Sequence, residues 1–238
     1  VNPARAEAVL RQITQELENL FAQLQPIASG FERMATLQQP GREDLIDLRG
    51  AIADVISHPG LVSGAGVIVS PGILADAPYW MEWWWSTAKG DPEALRLNLE
   101  PSAPDFFDYT TAEWYAMPKQ TGARHIAGPY VDYSCRNDYA LTLAQPVQAD
   151  GKFVGVAALD ITATRLEQWL LPLLAPLVGP TALVNATGRV IMSTSATAWP
   201  GQRASEPAGE PVTDPSVFGW HIVGLAPDPT QRGTSHVS

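Results

Sequence analysis

The segment Asp150-Gly151-Lys152-Phe153-Val154-Gly155-Val156-Ala157-Ala158-Leu159-Asp160-Ile161 opens on a tight-turn signal and runs on as an apolar, β-branched stretch. Asp-Gly suits a two-residue hairpin, because the left-handed backbone of such a turn is open to glycine. Residues 153–160 are therefore predicted as a strand that folds back on a second strand over 139–147. A third strand is predicted over 127–133. Upstream, Gly64 to Ser70 (GAGVIVS) is bounded by Pro71-Gly72 and reads as a buried strand. Tyr79 to Ser86 (YWMEWWWS) reads as an aromatic strand, and the alternation of Leu95, Leu97 and Leu99 predicts one more. A Pro- and Asp-rich loop follows from Pro101 to Tyr109. A short helix over 111–120 then carries Trp114 and Tyr115.

Helices flank this strand-rich core. Asn2 is a good N-cap and Pro3 stands where an N1 proline belongs. Leu10, Ile13, Leu17, Leu20 and Leu24 then form one apolar seam, either laid on the chain's own core or serving as a dimer seam. Pro26 is placed to kink this helix, and a second helix is predicted over 42–57. Thr162 is predicted to cap a helix that runs to about Leu174. Short strands are predicted over 181–185, 189–193 and 220–225, with a mobile loop over 196–214. This order gives an α+β layer arrangement, not an alternating βαβ one.

Composition excludes several classes. The 238 residues carry a formal net charge of −10 with no basic stripe, which argues against direct nucleic-acid binding. Cys135 is the single cysteine, so an internal disulfide or cysteine-based zinc site is excluded, and no metal or cofactor is expected. The longest uncharged apolar run, Trp169 to Val184, is shorter than the roughly 20 residues of a membrane span, and prolines interrupt it. No charged n-region followed by an apolar h-region opens the sequence, so no signal peptide is expected.

The order Trp114-Tyr115, Gly128-Pro129-Tyr130-Val131-Asp132, Leu141 to Val147 (LTLAQPV) and Asp150 to Ile161 (DGKFVGVAALDI) resembles the core of Cache domains, the PAS-like sensor modules. The resemblance covers about 48 residues and keeps their order and spacing. It implies a long N-terminal helix packed on a PAS-like central antiparallel sheet of about five strands, with a small C-terminal strand-rich lobe resembling a reduced second lobe. The implied division is a helical segment over 1–60 and a ligand-binding lobe over 61–161. A linker helix over 162–180, a reduced second lobe over 181–226 and a disordered tail over 227–238 follow. The matching pocket positions are Trp114, Tyr115, Tyr130, Asp132 and Asp160. In the amino-acid-binding branch the carboxylates and tyrosines hold the ligand ammonium, and an arginine two residues before the Trp holds its carboxylate. Ala112 stands there in this chain.

The same residues can be read without the resemblance. Tyr130 and Asp132 are two apart on a strand and share a face. Carboxylates among aromatic rings make a cation site. The plainer alternatives are that Asp160 caps the following helix and Tyr130 is core. In the tryptophan-rich strand, Trp80, Glu82 and Trp84 share one face, while Met81, Trp83 and Trp85 share the other. Trp83 and Trp85 are taken as the pocket wall, against plain core packing, and Glu82 as a possible third carboxylate. Arg124 and Arg136 are the cations near enough in sequence to replace the missing arginine.

The expected function is small-molecule sensing in signal transduction. The ligand would be an amine, a quaternary ammonium or an amino acid. The expected partner is a signalling output module, namely a histidine kinase, a chemoreceptor or a transcription regulator, with a possible homodimer through the N-terminal helix. The alternatives are a ligand-free docking module and a hydrolase using paired Asp132 and Asp160; no histidine accompanies a nucleophile elbow, and no enzyme is expected. The chain is expected to be cytoplasmic if Val-Asn-Pro is a true start and extracytoplasmic if it is an excised receptor domain.

Overall fold

The computed structural model describes residues 1–57, 60–87, 92–132, 138–205, 207–214 and 218–226, with the side chains of 131, 132 and 138 outside the description. The chain divides into two compact units, residues 19–163 and residues 1–18 with 164–238.

Helix α1 (Pro3–Ala35) runs without a break through Pro26. Its seam residues Leu10, Ile13, Leu17, Leu20 and Leu24 are all buried within this one chain. The predicted second helix divides into a 3-10 turn over Arg42–Leu48 and helix α2 (Arg49–Ser57). The N–H of Gly41 donates to Asp44 Oδ2 at 2.8 Å and fixes the start of that turn.

In the unit of residues 19–163, six strands form one antiparallel sheet in the order β3-β2-β1-β6-β5-β4, against the five expected. They are β1 (Gly64–Val69), β2 (Trp80–Trp85), β3 (Glu93–Ala94), β4 (His125–Asp132), β5 (Asp138–Ala149) and β6 (Lys152–Thr162). The strand expected over Leu95, Leu97 and Leu99 is a correction. Pairing to β2 ends with Leu95 N–H to the Trp83 carbonyl, and the ladder itself holds only Glu93 and Ala94. The Asp150-Gly151 hairpin forms as read, both residues at positive φ of 51° and 73°.

Alternation along the strands separates the two faces of this sheet. One face carries α1 and α2: Phe31 lies against Gly155, and Arg49 of α2 bonds Glu82 of β2. The other carries a 3-10 turn at Tyr109–Thr111 and α3 (Glu113–Thr121), which packs across β4, β5 and β6. Burial on both sides explains why β1 is apolar throughout instead of alternating.

The other unit holds α4 (Ala163–Leu174) from Thr164 onward and a four-stranded sheet ordered β8-β7-β10-β9. Its strands are β7 (Thr181–Val184), β8 (Val190–Ser193), β9 (Val212–Thr213) and β10 (His221–Gly224). Ala182, Val184, Val190, Val223 and Leu225 make its core. Strand β9 corrects the reading of 196–214 as loop throughout: Thr213 and Val212 pair with His221 and Ile222. Thr162, expected as a helix cap, is the last residue of β6. The tail expected to be disordered lies outside the described residues.

Candidate ligand-binding site

The α3 face of the large sheet is built in rows. Strand register sets Trp85, Gly64, Asp160, Thr142 and Ala127 side by side across five strands. The next row is Trp83, Gly66, Ala158, Ala144 and His125. The glycines of β1 are what let the tryptophans lie inward. A Cβ on Gly64 would stand 2.4 Å from the Trp85 ring, so the indole overlies this position. A Cβ on Gly66 would stand 2.0 Å from the Glu82 carbonyl oxygen, so the two backbones are also close.

Polar groups on this face are joined in a chain. Thr142 Oγ1 donates to Asp160 Oδ1 at 2.5 Å and lies 2.7 Å from Tyr130 Oη. A hydroxyl has one hydrogen, and that of Thr142 is spent on the carboxylate. Tyr130 must therefore donate to Thr142, and both hydrogens run toward Asp160. Thr142 and Asp160 are 2% and 5% exposed. A register shift between Ala127 and Tyr130, taken up by Gly128-Pro129, keeps Tyr130 opposite Ala140 and on this face. The carboxylate is thus buried on an aromatic surface and takes a polarised hydroxyl chain.

The aromatic surface is continuous. Ring pairs Phe106–Tyr79, Tyr79–Tyr109, Tyr109–Tyr115 and Tyr115–Phe153 meet edge to face at 4.9 to 5.5 Å. Trp83, Trp85, Tyr109 and Tyr115 are buried in one cluster, with Met81 and Trp114 packed against it. Tyr109 is structural. Its hydroxyl donates to the Val69 carbonyl at 2.6 Å and accepts from Trp80 N–H at 3.2 Å, closing the turn between β1 and β2. Burial pushes the phenol pKa up at both Tyr109 and Tyr115. Ser70 beside Tyr115 pulls that value back, yet Tyr115 Oη forms no hydrogen bond of ordinary geometry among the described residues. Trp83 Nε1 is likewise buried without a hydrogen-bond partner among the described residues.

Comparison with known proteins agrees with this architecture. Residues 83–168 match the model of the first PDC sensor domain of methyl-accepting chemotaxis protein-like proteins. The periplasmic sensory domain of the Campylobacter jejuni chemoreceptor Tlp1 superposes with a TM-score of 0.58 at 11% identity, over 82% of this chain and 72% of that one. The ligand-binding domain of the Pseudomonas fluorescens chemoreceptor CtaA, solved in complex with L-valine, gives 0.56 at 17% identity, over 95% and 96%. The fold is that of a PDC, or Cache, sensor domain. A 55-residue stretch of it is 36% identical to the methyl-accepting chemotaxis protein TlpQ of Pseudomonas aeruginosa. That stretch is 23% of this chain and spans only 8% of the length of TlpQ.

Within this fold, Trp83, Trp85, Trp114 and Tyr115 fall in one cluster, and Tyr130 and Asp160 share its sheet face. Asp132 is at the end of β4, opposite Asp138, and its side chain lies outside the described residues. Glu82 is a correction: it is on the opposite face, where Arg49 Nε and Trp84 Nε1 donate to Oε1, both at 2.9 Å, and Trp80 Nε1 to Oε2 at 3.4 Å. Three donors hold this carboxylate as an anchor for α2. Arg124 does not reach the aromatic face either, since its guanidinium stacks on Phe21 of α1 at 4.6 Å. Arg136 lies outside the described residues. Sequence reading missed one residue of this face: Thr142 is the bridge of the polar chain. Its signal was a lone hydroxyl in the apolar run Leu141 to Ala144.

Proposed function

We propose that the chain is the ligand-sensing part of a signalling receptor and that its aromatic face binds a small molecule bearing a cationic amine. The observation that carries this reading is the Tyr130–Thr142–Asp160 chain, buried beside Trp85 on a glycine-floored patch. A carboxylate set among aromatic rings makes a site for a cation. An ammonium adds charge-assisted hydrogen bonds to the carboxylate, and each ring face adds roughly 0.5–2 kcal/mol. The proposed site comprises Trp83, Trp85, Trp114, Tyr115, Tyr130 and Asp160, with Asp132 joining on the strength of its motif. The binding lobe is the segment 61–161, and the C-terminal sheet over 181–226 is a reduced second lobe. Amino acids are the second reading, favoured by the likeness to a domain solved with L-valine.

Sensing requires that the ligand bind two states with different affinity. Tyr115 is on α3 and Asp160 is on β6, so a ligand touching both biases the distance between helix and sheet. The output partner is proposed to be a chemoreceptor module, as in the relatives, with a histidine kinase as the alternative. The test is calorimetric titration of amines, quaternary ammonium compounds, amino acids and simple carboxylates. Amines or amino acids should bind the wild-type chain, and Asp160→Asn should abolish that binding. Binding of carboxylates alone, or unchanged amine affinity in Asp160→Asn, would overturn the proposal.

A further inference from the structure

The three indole N–H groups of β2 that the structure describes in full are treated unequally. Trp80 and Trp84 point to the α2 face, and both donate to Glu82. Trp83 points to the aromatic face, is 5% exposed, and its Nε1 has no acceptor among the described residues. An indole N–H is a donor only and cannot be satisfied by turning over. Nearly every buried polar group in a native protein has a partner. The ring is held in place, edge to face with Trp85 at 5.8 Å and 68°. The row running away from it holds the small residues Gly66, Ala158 and Ala144. Asp160 stands in the adjoining row. Two strand spacings and one two-residue step separate the Trp83 and Asp160 backbones by about 12 Å, within the combined reach of the two side chains, two hydrogen bonds and a small bifunctional molecule.

We propose that Trp83 is a specificity-determining residue whose indole N–H donates to a carbonyl or carboxylate oxygen of the ligand while Asp160 takes its ammonium. This rests on the amine-site reading above and narrows the ligand to an α-amino carbonyl compound, against a plain amine. It also defines a recognition unlike a guanidinium clamp. Ala112 offers no charge at the start of α3, and Arg124 is committed to Phe21. An uncharged donor receives either group, and because a bond to an ionised acceptor is about twice as strong, a carboxylate should be held more tightly than a carboxamide.

The experiment uses three probes of one carbon skeleton: L-leucine, L-leucinamide and 3-methylbutylamine. Each is titrated calorimetrically into the wild-type chain, into Trp83→Phe, and into a chain with the N–H-free isostere 3-benzothienylalanine at position 83. Leucine should bind the wild type more tightly than leucinamide, and both more tightly than the amine. Removing the N–H should weaken leucine at least about tenfold and leucinamide by roughly two- to tenfold, and leave the amine unchanged. Equal weakening of all three probes means that Trp83 only packs, and overturns the inference. So do an unchanged affinity for leucinamide, a wild type that prefers the bare amine, and a wild type that binds none of the three. Should Trp83→Phe not fold, the isostere, which keeps the ring system, decides alone. The two readings fail separately. If Asp160→Asn binds all three probes as the wild type does, the ammonium site is wrong, while a selective effect at Trp83 still stands.

Discussion

Thr142→Val is the sharpest probe of the polar chain. The substitution keeps the branched shape and removes the one hydroxyl that links Tyr130 Oη to Asp160 Oδ1 at 2.7 and 2.5 Å. Position 142 is 2% exposed, so water does not readily replace it. One lost hydrogen bond is to a charged acceptor, worth about 1.5–3 kcal/mol, and one is between neutral hydroxyls, worth about 0.5–1.5 kcal/mol. The added methyl contact returns about 0.8 kcal/mol. The net loss expected is about 1–4 kcal/mol. For a chain of this size that lowers the melting temperature by roughly 2–4 °C per kcal/mol. Thr142→Ser keeps the hydroxyl and loses only a methyl, so it should recover most of the difference. The assay is thermal unfolding by near-UV circular dichroism. Trp80, Trp83, Trp84, Trp85 and Trp114 all lie in the 19–163 unit, so the signal reports mainly on that unit. A Thr142→Val melting temperature equal to wild type, or a Thr142→Ser variant as weak as Thr142→Val, would refute the reasoning.

Three further outcomes follow from the same geometry. Glu82→Ala strands Arg49 and two indole N–H groups and should cost about 2–4 kcal/mol in urea unfolding; because it acts on the α2 face, ligand affinity per folded molecule should not move. Gly66→Ala puts a methyl 2.0 Å from the Glu82 carbonyl oxygen, so the β1–β2 ladder must open, and the variant should be recovered unfolded or with its tryptophan fluorescence shifted to the red. The pH limits of the fold have opposite signs. Hydrogen bonding to Arg42 lowers the Asp76 pKa below its ordinary 3.8, so the stability it adds is complete above that value and is lost as pH falls through the lower folded one. Tyr109 and Tyr115 are raised above 10.0 by burial, so their contribution is complete below pH 10 and fades above it as the unfolded phenols ionise first. Alkaline titration followed at the tyrosinate absorbance should show these two phenols ionising only together with unfolding.

Much of the fold was legible locally. Asp150-Gly151 fixed a hairpin because few residue pairs accept two positive φ values in succession. The β2 alternation placed Trp83 and Trp85 apart from Glu82, since strand side chains change face at every residue. The motif positions lie on α3, β4 and β6, a helix and two strands of one sheet. Other features depended on partners distant in the chain. Which of the two tryptophan faces met α3 was decided by the packing of α2 through Arg49, thirty-three residues from Glu82. The same pairing turned Glu82 from a potential site carboxylate into an anchor. Thr142 carries no motif of its own; it became the bridge because sheet register sets it beside Asp160. The leucine alternation at 95–99 promised a strand, and the ladder to β2 ended at its first member. The sequence by itself therefore determined periodicities, turns and a resemblance to Cache domains, all of which are short-range properties of the chain. Only the tertiary structure decided which buried polar groups find partners. That depends on register across the sheet and on elements brought together from more than a hundred residues of chain, and here it satisfied Glu82 while leaving the Trp83 N–H without a partner among the described residues.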